Sequence, residues 1–113
     1  MLMVREFVKV CSENDIAEGQ VKTFEINDIA IAVARYEGQV YALDDVCTHD
    51  GGDLGAGAVV RGQIQCPRHG ARFDLRTGAV TQMPAIVPIS TYEAKVENGD
   101  ILVAVPSEAN YEN

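Results

Sequence analysis

Cys47-Thr48-His49-Asp50-Gly51-Gly52 and Cys66-Pro67-Arg68-His69-Gly70-Ala71-Arg72-Phe73-Asp74 are the two stretches on which the reading of this chain turns, with sixteen residues between His49 and Cys66. Together they hold both histidines and two of the three cysteines of the 113-residue sequence. Cysteine and histidine at such close spacing point to a metal before a disulfide. Thiolate sulfur and imidazole nitrogen suit iron and zinc alike. Structural zinc sites usually present a cysteine pair and a histidine pair, each at its own knuckle. Here each loop supplies one of each, which suits a two-iron cluster with both thiolates on one iron and both imidazoles on the other. A zinc-stabilised binding module is the alternative.

Working outward, residues 44–88 hold seven of the ten glycines, three of the four prolines and both histidines. Glycine-dense loops let backbone approach a bound group closely and adopt positive φ. Short strands fit between the glycines at Val59–Arg61, Gln63–Gln65 and Arg72–Asp74. On either side the pattern is regular β. Apolar-rich runs at Phe7–Cys11, Val21–Ile26, Ile29–Tyr36 and Val40–Leu43 precede the segment, and Thr91–Val96 and Ile101–Val105 follow it. Asn27-Asp28, Glu37-Gly38-Gln39 and Asn98-Gly99-Asp100 mark the tight turns between them. No helix longer than a turn or two is expected. The expectation is an all-β single domain: a base from 1–43 and 89–106, an inserted cluster-binding subdomain at about 44–88, and a loose acidic tail at 107–113.

With these residues in view, the chain resembles the Rieske family. The two boxes match its signature, and the match runs on through Thr77-Gly78, Pro84-Ala85, and the span Tyr92–Val96 to Gly99-Asp100-Ile101. The resemblance implies a Rieske-like fold of two antiparallel sheets as a base with a small cluster-binding sheet at the tip. It implies one [2Fe–2S] cluster per chain, with thiolates of Cys47 and Cys66 on the buried iron and neutral imidazoles of His49 and His69 on the outer one. The outer ring edges would face solvent, where a redox partner docks. Gly51, Gly52 and Gly70 would let backbone N–H groups approach the sulfurs, and Pro84 would lie in a loop covering the cluster. High-potential relatives carry a second cysteine in each box, where this chain has Gly52 and Arg68, so their disulfide cannot form. They also place a serine after the His-Gly step, where this chain has Ala71. Fewer hydrogen bonds to sulfur disfavour the reduced state, so the potential is expected at the negative end of the range of roughly −150 to +300 mV.

Small proteins of this form resemble the ferredoxin components of bacterial aromatic-ring dioxygenase systems. That implies a one-electron carrier, not itself an enzyme, between a flavin-dependent ferredoxin reductase and a terminal Rieske oxygenase. No histidine or carboxylate set remains to build a mononuclear iron site of the two-His-one-carboxylate type. A Rieske-like small subunit of assimilatory nitrite reductase is the alternative within this resemblance. Such subunits often lack some ligands, and all four are present here.

The bulk properties fit a carrier. The formal net charge is −8, which disfavours nucleic acid and anionic membranes as partners. An oxidised cluster core of +2 and two thiolates leave that charge unchanged. No apolar run approaches the ~20 residues a bilayer helix needs, and the start has no signal-peptide pattern, so a cytoplasmic monomer is expected. Asp44, Asp45, Asp50 and Asp53 gather around the first box as a candidate docking patch for a basic partner. Cys11 reads as a small buried hydrophobe, and Phe73 and Tyr92 as core packing.

Overall fold

The computed structural model describes residues 5–46, 57–67, 70–83 and 87–106. Among them, eleven strands run in the order β1 (Arg5–Ser12), β2 (Val21–Ile26), β3 (Ile29–Tyr36), β4 (Gln39–Asp44), β5 (Ala58–Val60), β6 (Gln63–Gln65), β7 (Arg72–Asp74), β8 (Val80–Gln82), β9 (Thr91–Tyr92), β10 (Ala94–Glu97) and β11 (Asp100–Pro106). A single 3-10 turn, Glu13–Asp15, follows β1, capped by the Ser12 side chain. All pairings are antiparallel, in three sheets ordered β1-β11-β10, β2-β3-β4-β9 and β5-β6-β7-β8.

The sequence of β3 explains how the sheets stack. Ile29–Tyr36 reads Ile-Ala-Ile-Ala-Val-Ala-Arg-Tyr, apolar on both faces of a strand whose side chains alternate in direction. Ile31 and Val33 point one way, into a core with Ile101, Val103 and Val105 of β11. Ala32 and Ala34 point the other way, into a core with Leu43, Ile64, Cys66 and Phe73. β4 divides likewise, with Val40 and Ala42 in the first core and Leu43 in the second. The four-stranded sheet of β2, β3, β4 and β9 is therefore the middle layer. The large residues of β3 meet the base sheet, and its alanines let the sheet of short strands come close. Each buried Val, Leu or Ile contributes about 1.5–3 kcal/mol, so both interfaces are well supported.

Four hairpins turn on pairs of residues with positive φ: Asn27-Asp28, Glu37-Gly38, Arg61-Gly62 and Asn98-Gly99. Two successive left-handed residues define the turn that matches strand twist. Glu37 is held in this conformation by Glu18, whose carboxylate accepts the N–H groups of Glu37 at 2.5 Å and Gly38 at 3.1 Å.

One predicted strand is corrected. Thr91–Val96 is two strands, because the chain changes sheets at Glu93. Thr91 and Tyr92 pair with Leu43 and Ala42 in the middle layer, while Ala94–Glu97 pairs with β11. The Glu93 carbonyl accepts from the Ala104 N–H at 2.9 Å, which stitches the crossing point to the base. β8 was not expected from the sequence. Its three residues, Val80–Gln82, pair with β7, and its Thr81 and Gln82 are exposed, so burial leaves little pattern to read.

Candidate metal centre

Two arms of the fold lead into the two boxes. The second arm is β6, whose last residue, Gln65, precedes Cys66. Cys66 is fully buried, packed among Ala32, Ala34, Leu43, Ile64 and Phe73. The turn from Cys66 to Ala71 is closed by two backbone bonds: Cys66 N–H to the Ala71 carbonyl at 2.8 Å, and Gly70 N–H to the Cys66 carbonyl at 3.1 Å. Gly70 has a φ of +80° with nothing within 4 Å of where a Cβ would sit, so backbone conformation, not space, calls for glycine there. Its N–H goes to the Cys66 carbonyl. Ala71 is fully buried, and its methyl packs in the same core as Cys66.

Cys66 forms no disulfide among the described residues. A thiolate in an apolar core needs a positive partner to offset its desolvation. A buried sulfur at a tight turn, with a Cys-His box ahead of it in sequence, fits an iron ligand. Cys47, His49 and His69 lie outside the described residues, as do Gly51, Gly52, Pro84, Asp50 and Asp53.

The first arm is β4, which ends at Asp44, three residues before Cys47. The Asp44 N–H donates to the Ser90 carbonyl and the Asp45 N–H to the Ala30 carbonyl, both at 2.9 Å. The Tyr92 hydroxyl donates to Asp44 Oδ1 at 2.5 Å. This corrects the docking-patch reading for Asp44 and Asp45, the two of its four residues that the structure describes. Asp45 is only 5% exposed and Asp44 is turned toward Tyr92, so neither carboxylate offers itself to a partner. Among the described residues, exposed apolar side chains lie beside the boxes. Val46 stands just before Cys47, and Met83 and Val87 flank residues 84–86. Val46 and Val87 lie two and three residues beyond the Asp44–Ser90 hydrogen bond, on adjoining segments.

Phe73 is fully buried beneath the short-stranded sheet, as expected. Cys11 is half-buried against the base core. Burial pushes its thiol pKa up, reinforced by the nearby Asp15 carboxylate. It belongs to the base sheet, in a different core from Cys66. The sequence reading missed the role of the segment after Val87. Ile89 donates its N–H to the Gly78 carbonyl at 2.9 Å, Ser90 accepts from Asp44, and Tyr92 bonds Asp44 again. The only signal was Thr77-Gly78, which by itself reads as a turn.

A family model described as the Rieske [2Fe–2S] domain matches residues 6–93. The ferredoxin component of the naphthalene 1,2-dioxygenase/salicylate 5-hydroxylase systems of Ralstonia sp is 34% identical over 89% of this chain and 97% of its own length. Among solved structures, the ferredoxin of carbazole 1,9a-dioxygenase from Nocardioides aromaticivorans is 32% identical. It superposes with a TM-score of 0.83 over 86% of this chain and 95% of that one. A chain in a complex of reduced oxygenase and oxidized ferredoxin of carbazole 1,9a-dioxygenase is 33% identical, with a TM-score of 0.81 over 87% and 92% of the two chains.

Proposed function

The chain belongs to the Rieske [2Fe–2S] domain family, and from that premise we propose that it is a one-electron carrier serving a terminal ring-hydroxylating Rieske oxygenase. Cys47 and Cys66, as thiolates, and His49 and His69, as neutral imidazoles, hold one [2Fe–2S] cluster. When bound, that group takes up and gives back one electron at a time. The chain buries the sulfur of Cys66, keeps water from it with Phe73, Ile64 and Leu43, and fixes the ligand turn by the Cys66–Ala71 and Gly70–Cys66 hydrogen bonds.

The observation that carries the reading is the extent of the likeness. The chain matches nearly the whole of a ferredoxin component, 97% of its length, around a fully buried Cys66. A relative found in complex with its oxygenase supports the oxygenase as the acceptor. A flavin-dependent reductase is the donor in this proposal, and the carrier works as a cytoplasmic monomer. The described residues contain no helix long and apolar enough to cross a membrane. The exposed Val46, Met83 and Val87 offer an apolar contact surface beside the ligand boxes, the composition expected at the centre of a protein interface.

The test is spectroscopic and kinetic. Protein made with ample iron is expected to be red-brown and, after dithionite reduction, to give an EPR signal of lower average g than an all-cysteine cluster. His49→Ala or His69→Ala abolishes that signal. The holoprotein is reduced by a flavin reductase with NADH and reoxidised by the oxygenase, with a midpoint potential at the negative end of the Rieske range. Colourless protein holding one zinc would overturn the proposal.

A further inference from the structure

We infer that the segment from Ile89 to Tyr92 is a clasp that fixes the two ligand-bearing arms relative to one another, and that Gly78 and Tyr92 are the positioning residues on which it closes.

The arms belong to different sheets. Asp44 ends β4 in the middle layer and leads to Cys47. Cys66 follows β6 in the short-stranded sheet, and β7 issues from its turn. Leu43 and Phe73 share the core between these sheets, and backbone hydrogen bonds through residues 89 and 90 link the arms. Ile89 N–H donates to the Gly78 carbonyl at 2.9 Å, and Gly78 N–H donates to the Asp74 carbonyl at 2.8 Å, locking the clasp to the end of β7. One residue on, the Ser90 carbonyl accepts from Asp44 N–H at 2.9 Å. Tyr92 completes the grip, with its backbone paired to Ala42 and its hydroxyl on Asp44 Oδ1. The Ile89 side chain is buried in the same core as Cys66. Consecutive residues thus hold the end of β7 on one side and the end of β4 on the other.

Gly78 permits this contact. It is buried with a φ of +78°, and a Cβ there would lie 2.0 Å from the Ile89 carbonyl oxygen and 3.1 Å from Thr91 Cγ2. The obstructing atom is backbone, so no rotamer change relieves it. Any side chain at position 78 must push residues 89–91 away and with them the grip on Asp44. Relative placement of the two arms sets the geometry in which ligands from both boxes meet one cluster, so a sprung clasp is read at the cluster itself.

The inference rests on Cys47 and Cys66 being ligands of one cluster, and not on which proteins exchange electrons with it. The test compares three iron-loaded variants with the wild type: Gly78→Ala, Tyr92→Phe, and Val105→Ala, the last cutting into the base core on the opposite face of the middle sheet from Cys66. Each is measured for thermal stability, EPR g values and the rate of cluster loss to a ferrous chelator. Gly78→Ala is expected to displace the g values and to speed cluster loss at least tenfold. Tyr92→Phe keeps the ring and removes one bond, and is expected to displace the g values and speed loss two- to threefold. Val105→Ala should lower stability with g values unchanged. If Gly78→Ala loses cluster no faster than Val105→Ala at equal loss of stability, with wild-type g values, Gly78 serves folding alone and the inference is overturned. If Gly78→Ala does not fold, Tyr92→Phe decides, and wild-type g values with a wild-type rate overturn it. A wild type that holds no iron would sink the cluster assignment itself, a separate and recognisable failure.

Discussion

At the scale of single residues, what matters is where a side chain or a missing one governs backbone. Glu18 is exposed, yet its carboxylate closes the β3–β4 hairpin by accepting from Glu37 and Gly38. Those two hydrogen bonds, the Glu37 one foremost, hold its pKa below the ordinary 4.5, with a smaller contribution from Arg35. A carboxyl whose folded pKa is depressed contributes stability that is complete above its unfolded value and lost as pH falls through the folded one. Glu18→Ala is therefore expected to be less stable than the wild type at neutral pH. The difference should shrink as pH drops below 4.5, as read by urea unfolding across pH. A difference that persists unchanged in acid strong enough to protonate the carboxyl in both states would show that the carboxylate charge is not its source.

At the scale of elements, the four hairpins share one turn geometry but not one turn chemistry. Asn27-Asp28 and Asn98-Gly99 carry residues that suit positive φ, and the sequence announces them as turns. Arg61-Gly62 does not, because arginine at a φ of +51° is disfavoured. Its turn is held instead by β5 and β6, and by Leu75 N–H donating to the Gly62 carbonyl at 3.0 Å. Arg61→Asn is expected to raise stability by up to about 1 kcal/mol, measured as a shift in the denaturation midpoint with an unchanged slope. The strands of the short sheet have three residues each, too few to bury much on their own. Residue periodicity could not reveal β8, nor could it show that Thr91–Val96 changes sheets at Glu93.

At the scale of the molecule, the three layers differ in what supports them. The base and middle sheets share a core of long strands, with β11 and β3 contributing Ile101, Val103, Ile31 and Val33. The short-stranded sheet leans on the alanine face of β3, and the cluster proposed for the two boxes would brace it further. Ligand and metal binding to the folded state adds directly to its stability. Removing iron should therefore loosen the molecule unevenly. Amides of β6 and β7 are expected to exchange at least tenfold faster after iron removal, while those of β3 and β11 stay within about twofold, as read by hydrogen exchange. Uniform acceleration across all three sheets would contradict this layered picture. The charge of −8 bears on the same scale. Asp44 and Asp45 contribute little to it at the surface, since Asp45 is buried and Asp44 accepts from the Tyr92 hydroxyl.

The sequence alone determined the class. Two Cys-His boxes carry the resemblance to the Rieske family, and apolar runs with turn pairs specify antiparallel β, because motif spacing and strand pattern are local properties that residue order displays directly. Tertiary structure decided what depends on residues far apart in the chain. It made β3 a middle layer with unlike faces, gave the Asp44 carboxylate to Tyr92 rather than to solvent, and set Gly78 against the carbonyl of Ile89. Those outcomes are contacts across sheets, and a close approach between two backbones leaves no mark in either stretch of sequence beyond a glycine that could equally have been a turn.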